Sequence, residues 1–180
     1  MRKWIFWGFV GLGIAIVYGQ SSNVSLLGRW GVGRSEAIHR RGMYTFVGNG
    51  PSLEVYVNKR GTYSRTDVAL LDGVVKDIWT RGDLGFIYVA CGEAGISILK
   101  FDKNNGDILG VVSSYNTLGI ASGISQWYQY IYVADGNQGM HILYLEDPER
   151  GQPQLRSTYL TKGFAHDVWV VNDSTVLVAA

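Results

Sequence analysis

The 180-residue sequence contains a single cysteine, Cys91. No intrachain disulfide can form, so the stability of the fold must come from packing and strand pairing. An excess of charge of one sign is also lacking, because 16 Lys and Arg residues accompany 15 Asp and Glu residues. Such a surface has no electrostatic reason to hold nucleic acid or an anionic membrane, and the sequence predicts neither as a partner.

Helical periodicity is absent as well. After residue 20, no segment places apolar residues at i, i+3, i+4 and i+7 over several turns, and we predict almost no helix there. A composition of 47% apolar residues with 24 glycines is typical of a folded β protein with many turns. The sequence also has no phosphate-binding loop and no Ser-His-Asp order, so it predicts no cofactor and no catalytic residue.

The first nineteen residues have the pattern of a secretory signal peptide. Arg2 and Lys3 precede an apolar run of fourteen residues, 4–17, and Gly19 provides a small residue at the predicted cleavage site. An uncleaved anchor helix is the alternative, but the run is shorter than the roughly 20 residues needed to span a bilayer. We expect an exported protein, in the periplasm, at the cell surface or outside the cell, with no stable membrane insertion after cleavage.

Residues 20–180 contain a four-strand pattern that recurs about every 43 residues. Valines at equivalent strand ends, Val47, Val89, Val133 and Val178, are 42, 44 and 45 residues apart. Four short strands at this period are typical of a β-propeller blade. The fold class predicted is therefore all-β, a β-propeller with about three and a half four-stranded blades present. That number does not close a ring, so we expect a truncated part of a larger closed ring whose missing C-terminal blades belong to the same chain.

The turns and loops between the predicted strands carry their own signals. Glycines in the turns 135–139 and 91–95 allow the positive φ that a tight hairpin needs, and a valine at Gly139 should cost about 1 to 3 kcal/mol. Two polar stretches, NKRGTYSR over 58–65 and EDPERGQP over 146–153, are predicted as loops on which recognition residues would lie.

The third unit resembles the LVIVD repeat of exported bacterial and archaeal proteins. The matching residues are Tyr132-Val133-Ala134-Asp135, Asp147-Pro148, Pro153 and Ala165-His166-Asp167-Val168. The resemblance covers residues 24–180 and is weakest in the first unit, where Gly48-Asn49 replaces the Ala-Asp pair. It implies a β-propeller at the cell surface or in the envelope, and it implies no common catalytic residue.

Three residues are candidates for binding a ligand or ion. Asp77 and Asp167 occupy equivalent positions on the strand predicted to line the channel, where a set of carboxylates could hold a cation or a polar ligand. Because the residue recurs in different units, a structural role is favoured, with each aspartate accepting backbone N–H groups and joining neighbouring units. His166 precedes Asp167, but neighbours on a strand point to opposite faces. The histidines are too scattered for a zinc site, so no metal is predicted.

Two interpretations remain open for Trp79, Trp127 and Trp169, which recur at or near one inner-strand position: a stacking platform for sugar rings, or packing between blades. The function predicted is a binding or interaction scaffold at the cell surface or in the envelope, with an unknown protein or carbohydrate ligand. The alternative is a propeller-fold enzyme, a hydrolase, lyase or quinone-dependent dehydrogenase, with its site at the channel mouth near Asp77 and His166.

Overall fold

The computed structural model describes residues 34–180. The predicted signal peptide, 1–19, and the strand predicted over 24–30 lie outside the described residues. The described chain falls within one unit, Val32–Ala180, and forms fourteen strands and no helix. The all-β prediction is therefore confirmed for this part of the chain, in which no helix is available to cross a membrane.

Three four-stranded antiparallel sheets follow one another along the chain, each with its strands in sequence order, and a two-stranded sheet comes last. The first sheet contains β1 (Ser35–Arg41), β2 (Tyr44–Asn49), β3 (Ser52–Lys59) and β4 (Thr62–Leu70). The second contains β5 (Asp77–Thr80), β6 (Phe86–Ala90), β7 (Ile96–Asp102) and β8 (Asp107–Tyr115). The third contains β9 (Gly123–Trp127), β10 (Tyr130–Ala134), β11 (Met140–Tyr144) and β12 (Gln154–Tyr159). The two-stranded sheet contains β13 (Asp167–Asn172) and β14 (Thr175–Ala179).

The first two strands of every sheet pair in the same register. The corresponding cross-strand pairs are Ile38 with Val47, Ile78 with Val89, Ile124 with Val133, and Val168 with Val178. The four valines aligned by sequence spacing therefore occupy the same place in their sheets. This shared register identifies which residues occupy equivalent positions in the different sheets.

The core lies between consecutive sheets. One apolar cluster joins the first and second sheets and includes Phe46, Leu53 and Val89. A second joins the second and third sheets, and a smaller third cluster joins the third sheet to β13 and β14. Because both faces of the second sheet are covered, β6 and β7 have near-continuous apolar runs instead of a strict alternation.

One predicted loop is wrong. The stretch 58–65 was expected to be a polar loop, but β3 continues to Lys59 and β4 begins at Thr62. The hairpin needs only Arg60 and Gly61, which have φ of 55° and 88°, the conformation that a two-residue hairpin requires. Asn58 stabilises this turn by accepting the Gly61 N–H at 2.8 Å. Polar residues are compatible with β4 because it is an exposed outer strand.

Candidate functional site

A cleft of about 380 Å³ lies where β1, β5 and β9 end. Its walls come from three consecutive sheets, and they combine cationic, aromatic and amide side chains. The lining residues are Arg41, Trp79, Thr80, Arg81, Gly82, Gln126, Trp127 and Tyr128. The volume is at the lower end of the range found for ligand cavities, so the cleft suits a small ligand or the end of a larger one.

Two guanidinium groups give the cleft its charge. Arg41 is exposed at the end of β1, and its side chain lies beside Gly82, where a Cβ would be 3.0 Å from Nη2. Arg41 forms no ion pair with any carboxylate of the described chain. Arg81 Nε is 3.9 Å from Asp83 Oδ2, both side chains being substantially exposed, and an exposed pair at this distance contributes little to stability.

The positive field of Arg41 reaches the neighbouring His39. Burial, followed by the charge of Arg41, lowers the pKa of His39 below its ordinary value. His39 Nε2 is 2.9 Å from Thr80 Oγ1, so this imidazole links β1 to β5 directly behind the cleft. Arg41 therefore lies close enough to His39 to disfavour protonation of its imidazole.

Aromatic rings form the other wall. The Trp127 and Tyr128 rings meet edge to face, with centroids 5.5 Å apart. Tyr128 has a φ of 50° and its side chain is 68% exposed, and its carbonyl accepts a hydrogen bond from the Gln126 side-chain amide. The Trp127 Nε1–H is buried and has no hydrogen-bond partner in the described part of the chain. The turn after β9 thus holds Tyr128 out toward solvent beside the cleft.

The three tryptophans that recur in the sequence, Trp79, Trp127 and Trp169, do not form one cluster. Trp79 and Trp169 pack edge to face, with centroids 5.1 Å apart, although their strands belong to the second and fourth sheets. The residue at the corresponding position of the third sheet is the small, fully buried Ser125, which leaves room for this contact. Trp127 instead contacts Tyr128. Packing accounts for the Trp79–Trp169 pair, while Trp79 and Trp127 both line the cleft.

The predicted ligand residue Asp77 begins β5, at the opposite end of that strand from the cleft. Its Oδ1 accepts the Ile78 N–H and its Oδ2 accepts the Ile124 N–H, both at 2.8 Å. The second bond joins β5 to β9 and hence the second sheet to the third. Burial raises the pKa of Asp77 to about 6, against the opposing effect of these two hydrogen bonds.

Asp167 lies across β9 from Asp77, and its charge also contributes to raising the pKa of Asp77. Its Oδ1 accepts the Val168 N–H at 2.7 Å. Gly123 packs closely against Asp167, since a Cβ at Gly123 would be 2.8 Å from Asp167 Oδ1. His166 is exposed and packs on Phe164, with ring centroids 4.7 Å apart. Within residues 34–180, no three His, Cys, Asp or Glu side chains are grouped to hold a metal.

Sequence reasoning missed a buried pair in the third sheet. Asp135 is fully buried at the end of β10, and its Oδ2 is 3.0 Å from His141 Nε2. The same oxygen accepts the Gly119 N–H at 2.9 Å, and His141 Nδ1 is 2.9 Å from Thr158 Oγ1. The sequence signal for this pair was a polar residue at the end of the second strand of the sheet, Asp135, and another near the start of the third strand, His141.

The equivalent positions in the first sheet also carry a buried polar pair. Glu54 is only 2% exposed and accepts a hydrogen bond from Asn49 Nδ2 at 3.2 Å and one from the Tyr56 hydroxyl. The Arg65 guanidinium is 3.8 Å from the same carboxylate. In the second sheet these positions are Cys91 and Ser97. Cys91 is fully buried, and burial raises the pKa of its thiol to about 11, as expected of an inert cysteine.

Comparison with known proteins identifies no relative: no protein-family model matches the chain, and no curated protein matches it. The resemblance to the LVIVD repeat family stays a prediction. The functional assignment therefore depends on the geometry of the described residues.

Proposed function

We propose that the chain forms part of a β-propeller of LVIVD type that acts as a binding scaffold at the cell surface or in the envelope. Support for this fold comes from three four-stranded sheets with one strand order, stacked face to face along the chain. The first strands β1, β5, β9 and β13 contact one another in succession. This is the relation that the innermost strands of propeller blades have around a central axis.

The cleft at the ends of β1, β5 and β9 is the observation that supports binding without catalysis. Its lining contains two arginines, aromatic rings, an amide and the Thr80 hydroxyl, and no carboxylate, imidazole or thiol. Arginine stays protonated at any ordinary pH and cannot act as a general base. These side chains can hold and orient a ligand, and none of them is a carboxylate, imidazole or thiol, which are common proton-transfer groups near neutral pH.

The binding proposal can be tested by following intrinsic tryptophan fluorescence while small sugars, organic acids and short peptides are added. We expect at least one ligand to change the emission of Trp79 and Trp127 and to be recovered chemically unchanged, as checked by mass spectrometry. Tyr128→Ala should weaken that binding because it removes the exposed ring at the rim of the cleft. Turnover of a bound ligand would contradict the scaffold proposal.

An enzyme with its site near Asp77 remains the second candidate, because a carboxyl group with a pKa of about 6 is suited to proton transfer near neutral pH. Both Asp77 oxygens, however, already accept backbone N–H groups. If a bound ligand is converted to product, Asp77→Asn should abolish that conversion and leave ligand binding intact. Conversion that survives Asp77→Asn would place the chemistry elsewhere.

Export is proposed from the sequence of residues 1–19. Expression of the complete sequence in a bacterial host, followed by cell fractionation and N-terminal sequencing, tests it. We expect the processed protein outside the cytoplasm, beginning at Gln20. An unprocessed N-terminus would contradict cleavage after Gly19.

A further inference from the structure

We propose that the cleft at the ends of β1, β5 and β9 binds a carboxylate that is attached to a ring. Arg41 and Arg81 hold the carboxylate, and the ring packs against Trp127 and Tyr128. This inference rests on the proposed binding function of the same cleft, and it specifies the chemical class of the ligand.

The charge of the cleft indicates an anionic ligand. Arg41 and Arg81 come from the first and second sheets and line one cavity, although two like charges repel each other. Near the start of the same strands, both cations have a carboxylate partner, because Lys76 Nζ is 2.6 Å and Arg34 Nε is 3.2 Å from the Glu36 oxygens. Beside the cleft, Asp83 is the one carboxylate of the described residues that pairs with either arginine, and it pairs with Arg81. A bound anion would supply the compensation that Arg41 lacks.

The amount of charge favours a monoanion. Arg41 and Arg81 contribute two positive charges, and Asp83 contributes one negative charge beside Arg81. The remaining single positive charge matches one carboxylate, whereas a doubly charged phosphate would leave an excess negative charge. The planar guanidinium also binds the two oxygens of a carboxylate through parallel N–H groups, a geometry that adds direction to the interaction.

The aromatic wall indicates that a ring accompanies the carboxylate. Tyr128 is 68% exposed, yet two contacts hold it in place. The Gln126 side-chain amide donates a hydrogen bond to the Tyr128 backbone carbonyl, and the Tyr128 ring packs edge to face with the Trp127 ring. An exposed aromatic face held in place can pack on the flat face of another ring, sugar or aromatic. With a volume of about 380 Å³, the cleft has space for a compact ring compound.

Four probes test the ligand class: glucuronate, benzoate, glucose and inorganic phosphate, each titrated while tryptophan emission is followed. Glucuronate and benzoate share the carboxylate and the ring, and they distinguish a sugar from an aromatic source. We expect at least one of them to bind in the millimolar range. Glucose lacks the carboxylate and phosphate lacks the ring, so each loses one of the two contacts and should bind at least about tenfold more weakly.

Matched variants locate the carboxylate. Arg41→Gln should weaken binding of the preferred probe by about tenfold or more, because it removes the unpaired guanidinium. Arg40→Gln removes the same charge from the preceding residue of β1, which does not line the cleft, and should leave affinity within about twofold. Circular dichroism and thermal melting of both variants establish that they fold.

Each remaining outcome is decisive. Equal losses in Arg40→Gln and Arg41→Gln, glucose binding as tightly as glucuronate, phosphate binding more tightly than both carboxylates, or no binding of either carboxylate would overturn the ligand class. Those results leave the scaffold function open to other ligands of the cleft. Chemical conversion of a bound probe would instead contradict the scaffold function, so the two failures are distinguishable.

Discussion

Position 139, in the turn between β10 and β11, has no room for a Cβ. Gly139 has a φ of 79°, and a Cβ there would be 2.2 Å from the carbonyl oxygen of Tyr159. We expect Gly139→Val to lower the free energy of unfolding by about 1 to 3 kcal/mol from backbone strain alone, and by more once the overlap is added. Urea denaturation measures the loss.

Gly42, in the turn between β1 and β2, provides the matched control. Its φ is 59°, and a Cβ there would meet nothing within 4 Å. Gly42→Val therefore carries the backbone strain without the overlap and should be the milder of the two substitutions. Equal losses in the two variants would mean that the approach of Tyr159 to Gly139 does not contribute.

The buried pair of Asp135 and His141 gives a second residue-scale prediction. His141→Leu removes the imidazole that contacts Asp135 Oδ2 and leaves a fully buried carboxylate with the Gly119 N–H. We expect a loss of about 1 to 3 kcal/mol in the free energy of unfolding, the usual cost of leaving a buried acceptor without a hydrogen-bond partner.

A double-mutant cycle separates this interaction from simple loss of volume. With Asp135→Asn already in place, no carboxylate charge remains to be left unpaired, so adding His141→Leu should cost clearly less than it does in the parent protein. Strictly additive losses, measured by urea denaturation of the two single variants and the double variant, would argue that the two side chains do not stabilise each other.

At the scale of the strands, the carboxylate of Asp77 joins β5 to β9, and this junction should depend on pH. The pKa of Asp77 is about 6 in the folded protein, against an ordinary value of 3.8. Between these values the folded state binds more protons than the unfolded state, so stability falls as pH rises from about 4 to about 6. The total decrease from this group is at most about 3 kcal/mol.

Asp77→Asn tests the pH prediction. The asparagine cannot ionise, so its variant should lack the Asp77 contribution to the decrease in stability between pH 4 and pH 6. Urea denaturation at several pH values gives the difference between parent and variant, which should shift in favour of the variant as pH rises through this window. A constant difference would show that Asp77 does not titrate there.

The strands also show how far the sequence could predict the fold. Valine spacing and turn glycines located the second and third strands of the three four-stranded sheets closely, because those strands are buried and strongly apolar. The start of the outer strand β4 was wrongly predicted as part of a polar loop. An exposed edge strand can contain many polar residues, so the residues after Thr62 lack the apolar pattern that identifies a buried strand. From the apolar pattern alone, the first strands of the second and third sheets are predicted to begin at Val75 and Ile120. They begin at Asp77 and Gly123 instead, because the Val75 N–H bonds to the Gly50 carbonyl and the Ala121 N–H bonds to the Gly92 carbonyl of the preceding sheet.

The candidate site was harder to predict than the fold. Asp77 and Asp167 were singled out because they recur at one strand position, and Asp167 is close enough for its charge to raise the pKa of Asp77. Their role in ligand binding stays a prediction. Arg41, Arg81 and Tyr128 differ in type and come from three sheets, so only the packing of those sheets reveals that they line one cleft. The contact between Trp79 and Trp169 likewise depends on the small Ser125 between their strands.

At the scale of the whole molecule, the interfaces between sheets differ in size. Thirteen buried residues form the cluster between the first and second sheets, whereas four form the cluster that holds β13 and β14. Trp169 and Leu177, which pair across β13 and β14, are both more than half exposed. Burial of apolar area is the main source of stability, so the last sheet is held least strongly.

The unequal interfaces predict that β13 and β14 open before the rest of the described chain. Native-state hydrogen exchange should find their amides less protected than those of β6 and β10, which lie in well-packed sheets. Two identical substitutions make the test sharper, since Val89 and Val168 are both buried. Val89→Ala should lower the global free energy of unfolding by about 2 kcal/mol. Val168→Ala should accelerate exchange in β13 and β14 with a much smaller effect on the other strands. Equal effects of the two variants on every strand would mean that all four sheets unfold as one unit.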